Sequence, residues 1–218
     1  MIRTGRWQDV LADVTSCHSV ITDPPYGEST HADARSSTGE EGISYAHFTD
    51  ADVKQFVAYW TQRATRWIVA LTSHDLIPSY FDAYRFAGWY SFAPVPVATK
   101  NPAPRMACDG PTNSCVYAMV ARPKTREALA WRSLPGHYVV PVALGGQGRG
   151  KPLELCSALV RDYSNPGDLI VDPFAGLGGI PMAAIGMRRH AIGAEMDAEI
   201  AAEANSRRAQ LALMEDAL

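Results

Sequence analysis

The chain has 218 residues, 47% of them hydrophobic and 20% charged, with a net charge of −3. That balance is ordinary for a globular protein with a sizeable core, and it excludes a surface coated evenly in nucleic acid. The longest apolar runs, such as Trp67–Leu71, are far too short to cross a bilayer, and no apolar core follows the basic start Met1–Arg6. The expectation is therefore a single domain (1–218) in the cytoplasm, with no membrane and no export signal. Cys17, Cys108, Cys115 and Cys156 form no C-x-x-C pair and no zinc-ligand spacing with a histidine. They read as free thiols, and no metal is expected.

Taken in chain order, His18–Thr22 is a strand that ends at Asp23. Thr49-x-x-Asp52 has the form of a capping box before Val53, Phe56, Val57 and Trp60, which share one helical face. Trp67–Thr72 is a continuous apolar strand of the kind buried on both faces. Ser73 or Asp75 can cap the helix that follows, which ends near Gly88. Tyr90–Ala98 and Cys115–Ala121 alternate as strands do, and the proline- and glycine-bearing Lys100–Ser114 between them is a loop. After the irregular Gly145–Gly150, Pro152 opens a helix carrying Leu153, Cys156, Leu159 and Val160. Asp168–Val171 is a strand, Gly179–Arg188 a helix despite Pro181, and Ala191–Glu195 a strand. Asp197 then caps a long Ala-rich helix. Strands alternating with helices predict an α/β fold, a mostly parallel twisted sheet with helices on both faces.

Two motifs carry chemistry. The first is Asp23-Pro24-Pro25-Tyr26, directly after an apolar strand. An amino group on a heteroaromatic ring is a poor nucleophile, because its lone pair is delocalised into the ring. Two acceptors aimed at its N–H bonds favour the tetrahedral geometry that attack requires. The Asp23 carboxylate is one such acceptor, and the Pro24 carbonyl is placed to be the other. Pro24 and Pro25 keep the backbone stiff and have no N–H to compete. Tyr26 offers a flat face on which an extruded base can stack, worth roughly 1–3 kcal/mol.

The second motif runs from Asp172 through Pro173, Phe174, Ala175, Gly176, Leu177 and Gly178 to Gly179, between a strand and a helix. Its glycines allow a sharp turn and close backbone approach to a ligand. Glu195, at the end of the next strand, lies where a carboxylate would bind both hydroxyls of a ribose. The loop lacks the Lys-Ser/Thr of a phosphate-binding loop. Asp172 puts a negative charge beside it, suited to an ammonium rather than a pyrophosphate. S-adenosylmethionine has that ammonium and that ribose, and no phosphate.

With these two motifs in this order the sequence resembles the amino-methylating DNA methyltransferases, in the permuted group where D-P-P-Y precedes the cofactor loop. A third segment, Lys151-Pro152-Leu153-Glu154-Leu155, matches the family's K-P-L-x-L start of a cofactor-side helix. The resemblance implies a Rossmann-like S-adenosylmethionine-dependent fold and direct methyl transfer to the exocyclic amino group of a flipped base in double-stranded DNA. Asp23, Pro24, Pro25 and Tyr26 would bind and activate that base. Asp172, Phe174, Ala175, Gly176 and Gly178 would line the methionine end of the cofactor, Glu195 its ribose, and Lys151 with Pro152 the neighbouring wall. Cys108 and Cys115 would not be nucleophiles. The family's G-D-C-L opening is Gly5-Arg6-Trp7-Gln8 here, so the adenine contact would pass to Trp7 or Asp9. The family's H-P before the lysine is also missing. Asp rather than Ser at position 23 favours adenine N6. Cytosine N4 and a catalytically inactive cofactor- or DNA-binding relative are the alternatives, and a nicotinamide-dependent oxidoreductase is disfavoured.

DNA needs a basic surface. Segment 99–136 holds Lys100, Arg105, Arg122, Lys124, Arg126 and Arg132 against Asp109 and Glu127, a local charge of +4. Lys100, Arg105, Lys124 and Arg126 are the candidates for phosphate contact and target reading, in a small recognition segment at about 99–136. The segment is short, so either the recognition site is short or a second copy in a homodimer contributes. Ser29–Ser44 reads as a loop that orders over the flipped base.

Overall fold

The computed structural model describes residues 1–28, 47–102, 110–112, 114–125, 133–141 and 150–215. Along the chain run β1 (Ile2–Thr4), α1 (Trp7–Val10), β2 (Cys17–Thr22), α2 (Asp50–Trp60) and β3 (Ala64–Thr72). A 3-10 turn (His74–Leu76), α3 (Ile77–Phe86), β4 (Tyr90–Ser91), β5 (Val95–Thr99), β6 (Cys115–Arg122) and β7 (Tyr138–Val140) come next. The last elements are α4 (Leu153–Tyr163), β8 (Leu169–Asp172), α5 (Gly179–Gly186), β9 (His190–Glu195) and α6 (Ala198–Glu215). They fall into two compact units, Met1–Asp23 with Arg63–Trp67 and Ala143–Leu218, and Pro24–Gln62 with Ile68–Val142.

In the first unit the strand order is β1-β9-β8-β2, and the three pairings are all parallel. Parallel pairing puts the carboxyl ends of these four strands on one side, where ligands sit in open α/β sheets. The Ala-rich stretch of α6 has a packing reason. Ala201 and Ala204 are fully buried in a cluster with Ile2 and Ala175. A Cβ on Gly178 would stand 2.9 Å from Ile2 Cδ1 and 3.4 Å from Ala204 Cβ, and the backbone there has φ +79°. A side chain at position 178 would thus be both crowded and strained. Asn205 on α6 accepts from Ile2 N at 3.0 Å and donates to Ile2 O at 2.8 Å. Asp197 caps α6 as expected, its Oδ1 accepting from Glu199 N at 2.8 Å and Ile200 N at 3.1 Å. Under the strands, Leu155, Leu159, Val160 and Tyr163 of α4 are buried, and Trp67 meets Tyr163 edge-on at 5.5 Å.

In the second unit the capping box is present, with Thr49 and Asp52 each bonding the other's backbone N–H. It starts α2, whose Val53, Phe56, Val57 and Trp60 are buried. Phe56 lies 6.4 Å from Tyr80 of α3, edge-on. Burying each such side chain contributes about 1.5–3 kcal/mol. β6 pairs antiparallel with β3, β4 and β5, while β5 pairs parallel with β7.

The fold is thus the expected α/β arrangement, mostly parallel in the first unit and mixed in the second. Several local expectations need correction. Tyr90–Ala98 is not one strand: it breaks into β4 and β5 around Phe92–Pro94. Pro94 and Pro96 have no N–H to give a ladder, which suits them to a break and an interrupted strand. Ser73 stands at the start of the 3-10 turn, but its side chain makes no capping bond. β1 and β7 were not expected from the sequence. The Ser29–Ser44 loop and Cys108 lie outside the described residues, as does Gly145–Gly150 apart from its last glycine.

Candidate active site

Because β1, β9, β8 and β2 run parallel, their carboxyl ends all point to the same side of the first unit. There stand Asp23 after β2, Asp172 ending β8 and Glu195 ending β9. Asp172 is 2% exposed. Its Oδ1 accepts from Thr22 Oγ1 at 2.6 Å and from Phe174 N at 3.2 Å, so one carboxylate oxygen ties the ends of two strands together. Burial pushes the Asp172 carboxyl up to about 7. The hydrogen bonds from Thr22 and Phe174 oppose that rise, and the charges of Asp23 and Glu195 add to it.

Glu195 binds the glycine loop. Its Oε2 accepts from Gly176 N at 3.0 Å and its Oε1 from Asp197 N at 2.9 Å. Each carboxylate oxygen has two lone-pair sites, so both retain capacity toward further donors. Ala175 is buried and its N–H donates to Ala194 O at 2.8 Å, which holds the loop on β9. Trp7 is 6% exposed and meets Phe174 edge-on at 6.5 Å, while Asp9 is exposed on α1.

The structure pairs Lys151 with a partner that the sequence did not suggest. Its Nζ lies 2.9 Å from Asp23 Oδ2, both side chains being about one quarter exposed, at 26% and 27%. The lysine of the K-P segment therefore provides the counter-charge to the aspartate of D-P-P-Y. Pro152 begins α4 beside it, its carbonyl accepting from Leu155 N and Cys156 N. Burial pushes the Cys156 thiol up to about 12, with the charges of Asp172 and Asp23 adding to the rise. That thiol is not a nucleophile near neutral pH.

Thr22 is a member of this group that sequence reasoning passed over. Its signal was weak: a hydroxyl at the end of an apolar strand, beside the motif. Asp23, Lys151, Asp172, Phe174, Gly176 and Glu195 are brought together in the first unit, with Trp7 on Phe174. Pro24, Pro25 and Tyr26 belong to the second unit, where Pro24 is buried and the other two half-buried. Lys100 and Lys124 are exposed in that unit, and Arg105 and Arg126 lie outside the described residues. Arg122 is engaged otherwise, its guanidinium sitting 5.3 Å over the Tyr90 ring and 5.8 Å from that of Phe92. Among the described residues no group of His, Cys, Asp and Glu is arranged to hold a metal ion, and no helix is long and apolar enough to cross a membrane.

Comparison with known proteins places these features. Residues 143–206 match a family model described as DNA methylase. That span covers α4, β8, the glycine loop, α5, β9 and the start of α6. The crystal structure of the M1.HpyAVI–SAM complex superposes with a TM-score of 0.71 at 19% identity, covering 95% of this chain and 98% of that one. TTHA0409 from Thermus thermophilus, complexed with S-adenosyl-L-methionine, superposes with a TM-score of 0.68 at 21% identity over 96% and 94% of the two chains. PvuII DNA methyltransferase, described as cytosine-N4-specific, gives 0.64 at 15% identity over 94% and 85%. No curated protein sequence matches the chain. At these identities the likeness establishes the fold, which is that of the S-adenosylmethionine-dependent methyltransferases. With the family match, it supports the resemblance to amino-methylating DNA methyltransferases read from the motifs.

Proposed function

We propose that this chain, with the DNA methylase signature over 143–206 and the methyltransferase fold, is a DNA methyltransferase that modifies the exocyclic amino group of a flipped base, adenine N6 in first place. One observation carries the reading: Asp23, Asp172 and Glu195 converge at the carboxyl ends of parallel strands, around a glycine loop, with Lys151 as counter-charge to one of them.

Asp23 and Glu195, with a buried Asp172 that can shed its proton as a positive charge arrives, make a site suited to a cation beside one lysine. S-adenosylmethionine fits that demand, since it carries a sulfonium and an ammonium. Asp172, Phe174, Ala175, Gly176 and Gly178 would hold its methionine end, and Glu195 its ribose. Lys151 and Pro152 would form the adjoining wall, with Trp7 or Asp9 toward the adenine. When bound, this cofactor supplies an electrophilic methyl group.

The remaining work belongs to the chain. Asp23 and the Pro24 carbonyl accept the two N–H bonds of the target amino group and favour its tetrahedral form. Tyr26 stacks on the extruded base. Lys151 holds the Asp23 carboxylate in place. The resemblance to amino-methylating enzymes implies direct transfer without a covalent enzyme adduct, with neither Cys108 nor Cys115 as a nucleophile. Lys100, Arg105, Lys124 and Arg126 would meet double-stranded DNA, one small recognition segment within a single methyltransferase domain. The expected setting is cytoplasmic, with a homodimer as the way to extend a short recognition surface.

The test is Asp23→Ala against the parent. Calorimetry gives S-adenosylmethionine affinity, and tritiated cofactor with unmethylated genomic DNA gives transfer. The variant should bind cofactor within a few-fold of the parent and transfer no methyl, and turnover near the parent's would remove Asp23 from the chemistry. Chromatography of the hydrolysed product then separates N6-methyladenine from N4-methylcytosine. The second is the competing outcome, because the same two acceptors serve both amino groups.

A further inference from the structure

The base-binding turn is held by residues outside both motifs. Tyr26 O accepts from Phe48 N at 3.0 Å. Gly27 N donates to Ser73 Oγ at 3.0 Å, in a buried contact. These are the two ends of a single peptide group, the one between Tyr26 and Gly27, so its plane is pinned from both sides. The Ser73 hydroxyl in turn donates its hydrogen to Asp75 Oδ1. A hydroxyl has one hydrogen to give, so Ser73 must face Gly27 with a lone pair. Donation to a carboxylate makes its oxygen a better acceptor for Gly27 N–H.

Asp75 also closes on the turn directly. A Cβ on Gly27 would stand 2.1 Å from Asp75 Oδ2 and 2.5 Å from its Cγ, so any side chain at position 27 would have to displace the Asp75 carboxylate. Ser73 is 2% exposed and makes no helix-capping bond, although it stands at the start of the 3-10 turn. Its hydroxyl serves the Asp23–Tyr26 turn instead. Pro25 restricts the backbone before Tyr26, and the pinned peptide restricts the backbone after it. The rotamers open to a side chain depend on its own φ and ψ, so this clamp limits where the Tyr26 ring can point.

We infer that Ser73 and Asp75 are positioning residues for Tyr26: through the Gly27 peptide they fix the ring face offered to the extruded base. This rests on the methyltransferase reading, in which Tyr26 is the stacking platform. Neither residue would touch the base, since the Ser73 hydroxyl is engaged with Gly27 and Asp75. Their loss should cost orientation rather than cofactor binding.

The experiment compares the parent chain with Ser73→Ala and Asp75→Asn, the second keeping the shape of the side chain in case the first folds poorly. The probes are tritiated S-adenosylmethionine and unmethylated genomic DNA. Thermal unfolding, cofactor calorimetry and amide hydrogen exchange at Gly27 are measured alongside. For Ser73→Ala, kcat should fall roughly 10- to 100-fold, the scale of a slightly misplaced reactant, with cofactor Kd held within about two-fold. Gly27 exchange should accelerate while the melting temperature stays near the parent's. Asp75→Asn should show a smaller loss of the same kind. Unchanged kcat in both variants overturns the inference. So does a loss of kcat that tracks falling melting temperature and cofactor affinity, since that is the pattern of a purely structural role. A parent protein that neither binds the cofactor nor labels DNA overturns the methyltransferase reading itself, and the role of Tyr26 with it.

Discussion

Replacing Asp172 by Asn should abolish a loss of stability that the parent shows as pH rises toward neutral, while weakening its cofactor site. Burial raises the Asp172 carboxyl from the ordinary 3.8 to about 7. The folded protein therefore holds a proton there between about pH 4 and pH 7, where the unfolded chain has released it. Stability must then fall as pH rises through that window and level off above it. Three pH units at about 1.4 kcal/mol each set an upper bound of about 4 kcal/mol on the loss. Asparagine keeps an oxygen for Thr22 and Phe174 and does not titrate, so the variant lacks this slope. Thermal unfolding of both proteins from pH 4.5 to 8.5 reads the difference, at roughly 2–4 °C per kcal/mol for a chain of this size. The asparagine NH2 adds a pH-independent offset, so the evidence is the slope and not the level. A parent–variant gap that stays constant across the range would refute the assignment of a buried, proton-holding Asp172. Below about pH 7, cofactor binding by the parent should release a proton, and binding by the variant should not.

Three further outcomes are expected. Glu195→Ala should weaken S-adenosylmethionine binding by roughly 1–3 kcal/mol in calorimetry, the scale of lost charge-assisted hydrogen bonds, and an unchanged Kd would take Glu195 out of the site. Lys151→Met should lower transfer to DNA by roughly ten-fold or more, because a half-buried Asp23 loses its counter-charge and the contact that orients it; equal turnover would mean the pair is incidental. Lys124→Ala and Arg105→Ala should each flatten the plot of log DNA affinity against log salt by about one unit for every duplex, whereas a loss confined to one sequence at about 1–3 kcal/mol would mark a base contact.

What the sequence revealed was what short-range chemistry decides. The capping box at Thr49 and Asp52, the Asp197 cap and the glycine loop from Asp172 each need only neighbours within a few residues. The buried run Trp67–Thr72 announces itself by composition. Lys151 was legible as part of a motif, but its partner Asp23 was not, because that pairing exists only after β2 and α4 have been brought together by the fold. Ser73 shows the same limit more sharply. Locally it looks like a helix cap, yet its hydroxyl bonds Gly27, 46 positions away. β1 is three residues long, too short for any periodicity to register, and is defined by its pairing with β9. Alternating strands and helices suggested a mostly parallel sheet, without saying which strands would pair antiparallel. The connection from β5 to β6 read as a loop, and a loop suffices for the antiparallel pair found there.

The contact between Asn205 and Ile2 bears on how this protein behaves in a crowded solution. β1 is outermost in its strand order, and an outermost strand normally presents bare N–H and C=O groups that another chain can extend. Asn205 takes both such groups of Ile2 with one side-chain amide, standing in for the next strand's peptide without being one. The strand is too short to leave a long free edge beyond that residue. A growing intermolecular sheet would find the outward N–H and C=O of Ile2 already taken by a single asparagine, and would have to displace that side chain before it could pair there.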